Sequence, residues 1–161
     1  MFRPLDEVAN ATPADYLEHA ADPLQTGLQM MQVASSKFPL RGDGSDVQMT
    51  GHEFLYVGPG SGLVVKFLLD QDQRAQGLET SRRGIASAPD VVRNYCIWSK
   101  PWETAFPNKN FHVAFISAYL KELLTEDEWN ETLKEVARVS KHSQIYGTIT
   151  EKDKGEEAQG S

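Results

Sequence analysis

The chain has 161 residues, 40% hydrophobic and 24% charged, enough for one globular domain with its own core. It carries 16 basic against 23 acidic residues, a net charge of −7, which argues against a broad nucleic-acid surface built from clustered Lys and Arg. A single cysteine, Cys96, excludes an intramolecular disulfide and a cysteine-built zinc site. The opening residues carry acids and no apolar core of leader length. No apolar run approaches the ~20 residues of a membrane span. The expectation is a cytoplasmic domain that does not use a membrane.

In chain order, Thr12-Pro13 reads as a cap followed by proline at the first helical position, opening a helix over residues 14–21. Pro23 interrupts it, and a helical pattern resumes over 24–38 with Leu24, Leu28, Met31 and Val33 directed to the core. The methionines read as core filler. Residues 41–51 form a polar, glycine-bearing loop, and its Arg41-Gly42-Asp43 triplet is taken as chance. From residue 53 strands alternate with helices: a strand over 53–57, a helix over 61–71, a strand over 74–80 and a helix over 81–94. Strands at 95–99 and 111–117 follow, then a short helix at 118–124. Thr125 and Glu128 have the spacing of a capping box, opening a helix with Trp129, Leu133, Val136 and Ala137 on one face. A fifth strand is expected at 144–150, and the charged residues 151–161 form a flexible tail. The predicted architecture is a Rossmann-like open α/β sheet, five-stranded and mostly parallel, with helices on both faces. Residues 51–150 form that domain, and residues 1–50 form an N-terminal helical segment.

The stretch after the first strand, Val57-Gly58-Pro59-Gly60-Ser61-Gly62, puts glycines at every second position before a helix. Glycine lets backbone approach a ligand that a side chain would block, and strand, glycine turn and helix together open a nucleotide-type site. An acidic residue ending the second strand is the next landmark, and Glu79, 17 residues beyond Gly62, supplies it. Its carboxylate can accept hydrogen bonds from both hydroxyls of a ribose. A nicotinamide site would prefer G-x-G-x-x-G, whereas this turn is G-x-G-x-G.

Residues 106–150 then settle the ligand class by resemblance. Phe106-Pro107 before the fourth strand, and Leu133, Glu135, Arg138, Val139 and Lys141 before the fifth, stand in the order and register of the class I S-adenosylmethionine-dependent methyltransferases. The chain resembles that family over roughly residues 53–150. The resemblance implies S-adenosylmethionine as cofactor, its amino-acid end admitted by Gly58, Gly60, Ser61 and Gly62, and its ribose held by Glu79. By the same register Trp98, Ser99 and Lys100 flank the adenine, Trp102 either stacks on it or covers the core, and Ser117 follows the fourth strand where the methyl group is presented.

Methyl transfer displaces an excellent leaving group, so positioning and exclusion of water carry most of the catalysis. A general base is needed only where the acceptor must lose a proton, and Tyr119 and Glu122 are the candidates. His112 has suitable chemistry but is expected on the flank of its strand, away from the site. No Asn/Asp-Pro-Pro-Tyr element follows the fourth strand, which argues against a nucleobase amino group as acceptor and leaves a small molecule or peptide. The sequence departs from the family at Tyr56, where an acidic residue is usual, and at Ser99-Lys100-Pro101, where Gly-Asp-Ala is usual. His112, Leu123 and His142-Ser143-Gln144 are further departures, and the family's antiparallel hairpin after strand five is missing. A second reading follows from these: a catalytically degenerate methyltransferase-like module that binds a protein partner. With strand five left as an uncharged edge, a homodimer through it is expected.

Overall fold

The computed structural model describes residues 22–39, 51–80, 85–86 and 88–147. The helix expected at 14–21, the Arg41–Asp43 triplet and the charged tail lie outside the described residues. Five strands, β1 (Glu53–Val57), β2 (Arg74–Glu79), β3 (Cys96–Trp98), β4 (Phe111–Ser117) and β5 (Ser140–Tyr146), form one sheet. All pairings are parallel and the order is β3-β2-β1-β4-β5. The helices are α1 (Pro23–Lys37), α2 (Ser61–Asp70), α3 (Leu120–Leu123) and α4 (Glu126–Val139). This is the expected open Rossmann-like sheet.

Strand β1 is central, and its unbroken apolar run is what a strand covered on both sides requires. Phe54 and Tyr56 pack with Met30 and Ala34 of α1, Val64, Val65 and Leu68 of α2, and Phe115 of β4. Leu55 and Val57 point the other way, into a cluster with Leu78, Ala114, Ile116, Leu120 of α3, and Trp129, Val136 and Val139 of α4. Helices α1 and α2 therefore cover one face, and α3 and α4 the other. The capping box at the start of α4 is formed: Thr125 Oγ1 accepts from Glu128 N at 3.1 Å, and Glu128 Oε1 accepts from Thr125 N at 2.8 Å.

Four expectations are corrected. Helix α1 buries Thr26, Gly27, Met30 and Ala34, not the predicted leucine face; Leu24 and Leu28 are 52% and 42% exposed. The small residues win because α1 lies directly on α2, where a Cβ at Gly27 would fall on the Phe67 ring. The helix expected over 81–94 is, among the described residues, a helical step at residues 85–86 and a 3-10 helix at Asp90–Tyr95. Pro89 separates them, since proline supplies no N–H to a continuing helix. On α4 the buried face is Trp129, Thr132, Val136 and Val139; Ala137 is exposed. Finally, β5 begins at Ser140, four residues before the predicted start. His142-Ser143-Gln144, with neither glycine nor proline to turn the chain, pair with Val113, Ala114 and Phe115 of β4. Residues 148–150 of the expected strand lie outside the described residues.

Candidate functional site at the carboxyl edge of the sheet

From β1 the chain moves outward to β2 and β3, then crosses to β4 and β5 on the other side. The carboxyl ends of β1 and β4 therefore frame the reversal point, where open parallel sheets hold their ligands. The last ladder pairs are Val57 with Leu78 and Val57 with Ile116. One step further stand Gly58, Glu79 and Ser117, side by side on the α2 face of the sheet, with Ser117 paired to Tyr146. One row below lie Gly77, Tyr56 and Phe115. Register alone thus brings together the glycine turn, Glu79 and Ser117.

The glycines divide their work. Gly58 has φ +142°, and a Cβ there would sit on the Ser117 side chain; its N–H donates to Leu78 O at 3.1 Å. Gly60 caps α2 in the left-handed region at φ +76°, which only glycine adopts without strain. Gly62 lies against Ala88, so its missing side chain serves contact within the protein. A fourth glycine, Gly77, was not singled out from the sequence. Its bare α-carbon admits the Ser61 side chain, so the first turn of α2 rests directly on β2. A glycine inside a strand is the signal for such an approach.

Glu79 is 1% exposed. Its Oε1 accepts from Ser61 N at 3.3 Å and from Ser61 Oγ at 3.1 Å. A carboxylate is favoured there by the positive end of α2, for which it serves as the cap. Beside it, the Tyr56 side chain is 1% exposed, and its hydroxyl has no hydrogen-bond partner; the Thr80 hydroxyl is likewise unpartnered. Burial pushes the Tyr56 phenol well above its ordinary range. The nearby Ser117 hydroxyl opposes that shift and the Glu79 charge reinforces it. The Ser117 hydroxyl is near, but the two oxygens do not meet hydrogen-bond geometry. Ser117 Oγ instead accepts from Tyr119 N at 3.3 Å.

After β3, Ser99 N donates to Glu79 O at 3.2 Å, joining this segment to the end of β2. Trp98, Ser99, Lys100, Glu103, Thr104 and Ala105 line a cleft of about 470 Å³. Lys100 Nζ is 3.6 Å from a Glu103 carboxylate oxygen, so part of its charge is met locally. Trp102 is half-buried and is not part of that lining. The far wall is tied to α4. Glu135 Oε2 accepts from Thr104 N and Oγ1 at 2.7 and 2.8 Å, and Arg138 bonds both Glu135 oxygens, Phe106 O and Asn108 Oδ1. The Arg138 guanidinium holds the Glu135 carboxyl down at about 2. Sequence reading found these two residues as a register match and missed their role as the clamp on the β3–β4 connection.

Tyr119 lies two residues beyond β4 and is half-buried, whereas Glu122 is exposed on α3. His112 is at the opposite, amino end of β4. Its Nδ1 accepts from Glu53 N at 3.0 Å, and its ring packs on His52 and Phe38 at centroid separations of 5.1 and 5.5 Å. Cys96 is buried, and burial, with the Glu79 charge, pushes its thiol up to about 11. Among the described residues no helix is long and apolar enough to cross a membrane.

This sheet order and edge are those of an open Rossmann-like fold. No protein-family profile matches the sequence. No curated protein matches it either. Solved structures match in fold. An S-adenosylmethionine-dependent methyltransferase from Methanosarcina mazei is 21% identical with TM-score 0.50, over 57% of this chain and 49% of that one. The PH0226 protein from Pyrococcus horikoshii is 17% identical with TM-score 0.53, over 78% and 57%. A TehB-like S-adenosylmethionine-dependent methyltransferase from Corynebacterium glutamicum is 15% identical with TM-score 0.51, over 85% and 80%. The match spans about half the length of the first two structures, 49% and 57%. The resemblance read from the glycine turn and the β4–β5 block thus holds as a likeness of fold.

Proposed function

We propose that this chain is an S-adenosylmethionine-binding methyltransferase domain acting on a small-molecule or peptide acceptor. One observation carries the reading: the positive-φ glycine turn and Glu79 converge at the reversal point of a β3-β2-β1-β4-β5 sheet. The residues fit the cofactor in placement, and two buried hydroxyls at this edge, on Tyr56 and Thr80, have no hydrogen-bond partner within the protein. Gly58, Gly60, Ser61 and Gly62 would hold its amino-acid end, Glu79 its ribose, Ser99 and Lys100 its adenine, and Ser117 would flank the methyl group. When bound, S-adenosylmethionine supplies a methyl group on a sulfonium centre. The chain's part is to orient the acceptor and keep water out, with Tyr119 or Glu122 taking a proton where the acceptor requires it. Calorimetric titration with S-adenosylmethionine and S-adenosylhomocysteine tests the reading. Neither heat nor a thermal shift at millimolar ligand removes it.

The second reading, a degenerate module working through a protein partner, is favoured by one contact. The Glu79 carboxylate is engaged with Ser61, and ribose binding would have to displace those bonds. Ligand binding without methyl transfer to any acceptor would select this module. With either reading go a domain over residues 51–150 between an N-terminal helical segment and a charged tail, a cytoplasmic location, and a homodimer. Strand β5 is at the sheet edge among the described residues, with Ile145 49% exposed. Light scattering should give a dimer, and Ile145→Lys, which places a charge on that edge, should dissociate it. A monomeric wild type rejects the dimer.

A further inference from the structure

We propose that a cleft at the amino edge of the sheet is a second binding site, for a neutral, planar heterocycle of the nucleobase kind. The starts of β1 and β2, the residues leading into β3 and β4, and Leu69 in the last turn of α2 line it. Its volume of about 410 Å³ lies within the about 300–1,000 Å³ of small-molecule sites. Phe111, in its lining, and Ser117 are the two ends of seven-residue β4, about 20 Å apart at ~3.3 Å per residue. A molecule held here is therefore remote from the carboxyl edge, and the inference does not rest on the S-adenosylmethionine reading. Gln76 is the residue that calls for a ligand. Its register partner is Leu55, which pairs in turn with Ala114, and both belong to the core on the α4 face. The next row on that face, Leu78, Val57 and Ile116, is core as well. Gln76 thus puts an amide where the pattern of the sheet puts hydrocarbon, and such departures mark functional positions.

The lining selects the chemistry. Gln76 is half-buried, as is Asn110 just before β4, and Tyr95 just before β3 is exposed. Neither amide, nor the Tyr95 hydroxyl, bonds to another described residue, so their hydrogen-bonding capacity is open to what enters the cleft. A side-chain amide presents a donor and an acceptor side by side, the pattern that pairs with the edge of a base. Tyr95 stands one step before Cys96, as Gln76 does before its partner Gly77, so the phenol ring is beside the amide and offers a face for stacking. Phe54, Leu69 and Phe111 supply apolar wall. The charged groups of the cleft, Glu53 and Arg74, are paired with each other at 3.1 Å. Their charges cancel, so the lining favours no ion, and Glu53 opposes a phosphate. A free base and a nucleoside share this chemistry.

The probes are adenine, cytosine and uracil, each also as its nucleoside, with adenosine 5′-monophosphate and leucine as charged comparisons. The side-chain amide signals of Gln76 and Asn110 in proton–nitrogen correlation spectra report on the cleft directly. At least one base or nucleoside should shift both signals at millimolar concentration or below. Binding of the base alone names the free base as the ligand, and binding of both admits the nucleoside. Gln76→Leu extends the apolar row and should weaken that binding about 5–100-fold, the loss of one bidentate pairing. Asn110→Ala, outside the strands, is the second variant and should weaken it too. No shift at either amide with any probe overturns the proposal, as does equal binding by the wild type and both variants. Tighter binding of leucine or of the monophosphate than of any base or nucleoside overturns the neutral class. Shifts confined to Gly58, Gly60, Gly62 and Glu79 also overturn the site, by placing the base at the carboxyl edge alone.

Discussion

Replacing Glu135 with glutamine tests how the cleft wall is held. The carboxylate accepts four hydrogen bonds, two from Thr104 and two from Arg138. Glutamine keeps the shape but removes the charge and turns an amide N–H₂ toward donors, either Arg138 Nε on the Oε1 side or the Thr104 N, Thr104 Oγ1 and Arg138 Nη2 group on the Oε2 side. The drop in the Glu135 pKa from 4.5 to about 2 corresponds to roughly 3 kcal/mol if unscreened. The Arg138 side chain is 37% exposed, so water screens the pair, and about 1–2 kcal/mol is the working figure for the Glu135 carboxylate. In a domain of this size that lowers Tm by about 3–6 °C. Because the folded-state pKa lies below the ordinary value, the contribution is complete above pH 4.5 and is lost as pH falls toward 2. Melting curves of wild type and Glu135→Gln from pH 7 to pH 2 should therefore converge at the acid end. Equal Tm at pH 7, or a gap that persists undiminished at pH 2, would refute the reasoning.

Three further outcomes are expected. Gly77→Ala sets a Cβ 2.8 Å from Ser61 Cβ and must push the start of α2 off β2, costing about 1–3 kcal/mol and weakening ligand binding; an unchanged denaturation midpoint rejects that packing. Burial first, then Lys141 and His52, lower the His112 pKa below 6.5 against the opposing pull of Glu53. The unfolded chain then takes up this proton first, so stability declines as pH falls through 6.5, and His112→Asn, which still offers Glu53 N an acceptor, should flatten that decline. A pH profile identical to that of the wild type would rule out His112 as its source. Thr125→Ala removes half of the capping box and should destabilise by about 1 kcal/mol in urea unfolding, without altering ligand affinity. A loss of affinity would show that α4 reports to the site through more than its clamp.

The sequence was sufficient wherever local chemistry dictates the outcome. The unbroken apolar run Phe54–Val57 can only be a strand covered on both faces, and Thr125 with Glu128 announces the start of α4 three residues apart. The alternation of strands and helices that makes the sheet parallel is equally legible along the chain. Tertiary structure decided what depends on partners distant in the chain. The buried face of α1 is chosen by the Phe67 ring against Gly27, which reverses the face that hydrophobicity suggests, because close approach of two helices rewards small residues more than large ones. The start of β5 is set by its ladder with β4, not by its own propensity, so Ser140–Ser143 become strand ahead of the expected start at 144. Sequence placed Glu79 at the end of β2, but only the packed fold puts Ser61 over Gly77 and so turns that carboxylate onto the start of α2. The unsatisfied Tyr56 hydroxyl is likewise invisible in the sequence, since a missing hydrogen bond is a property of everything that surrounds the atom.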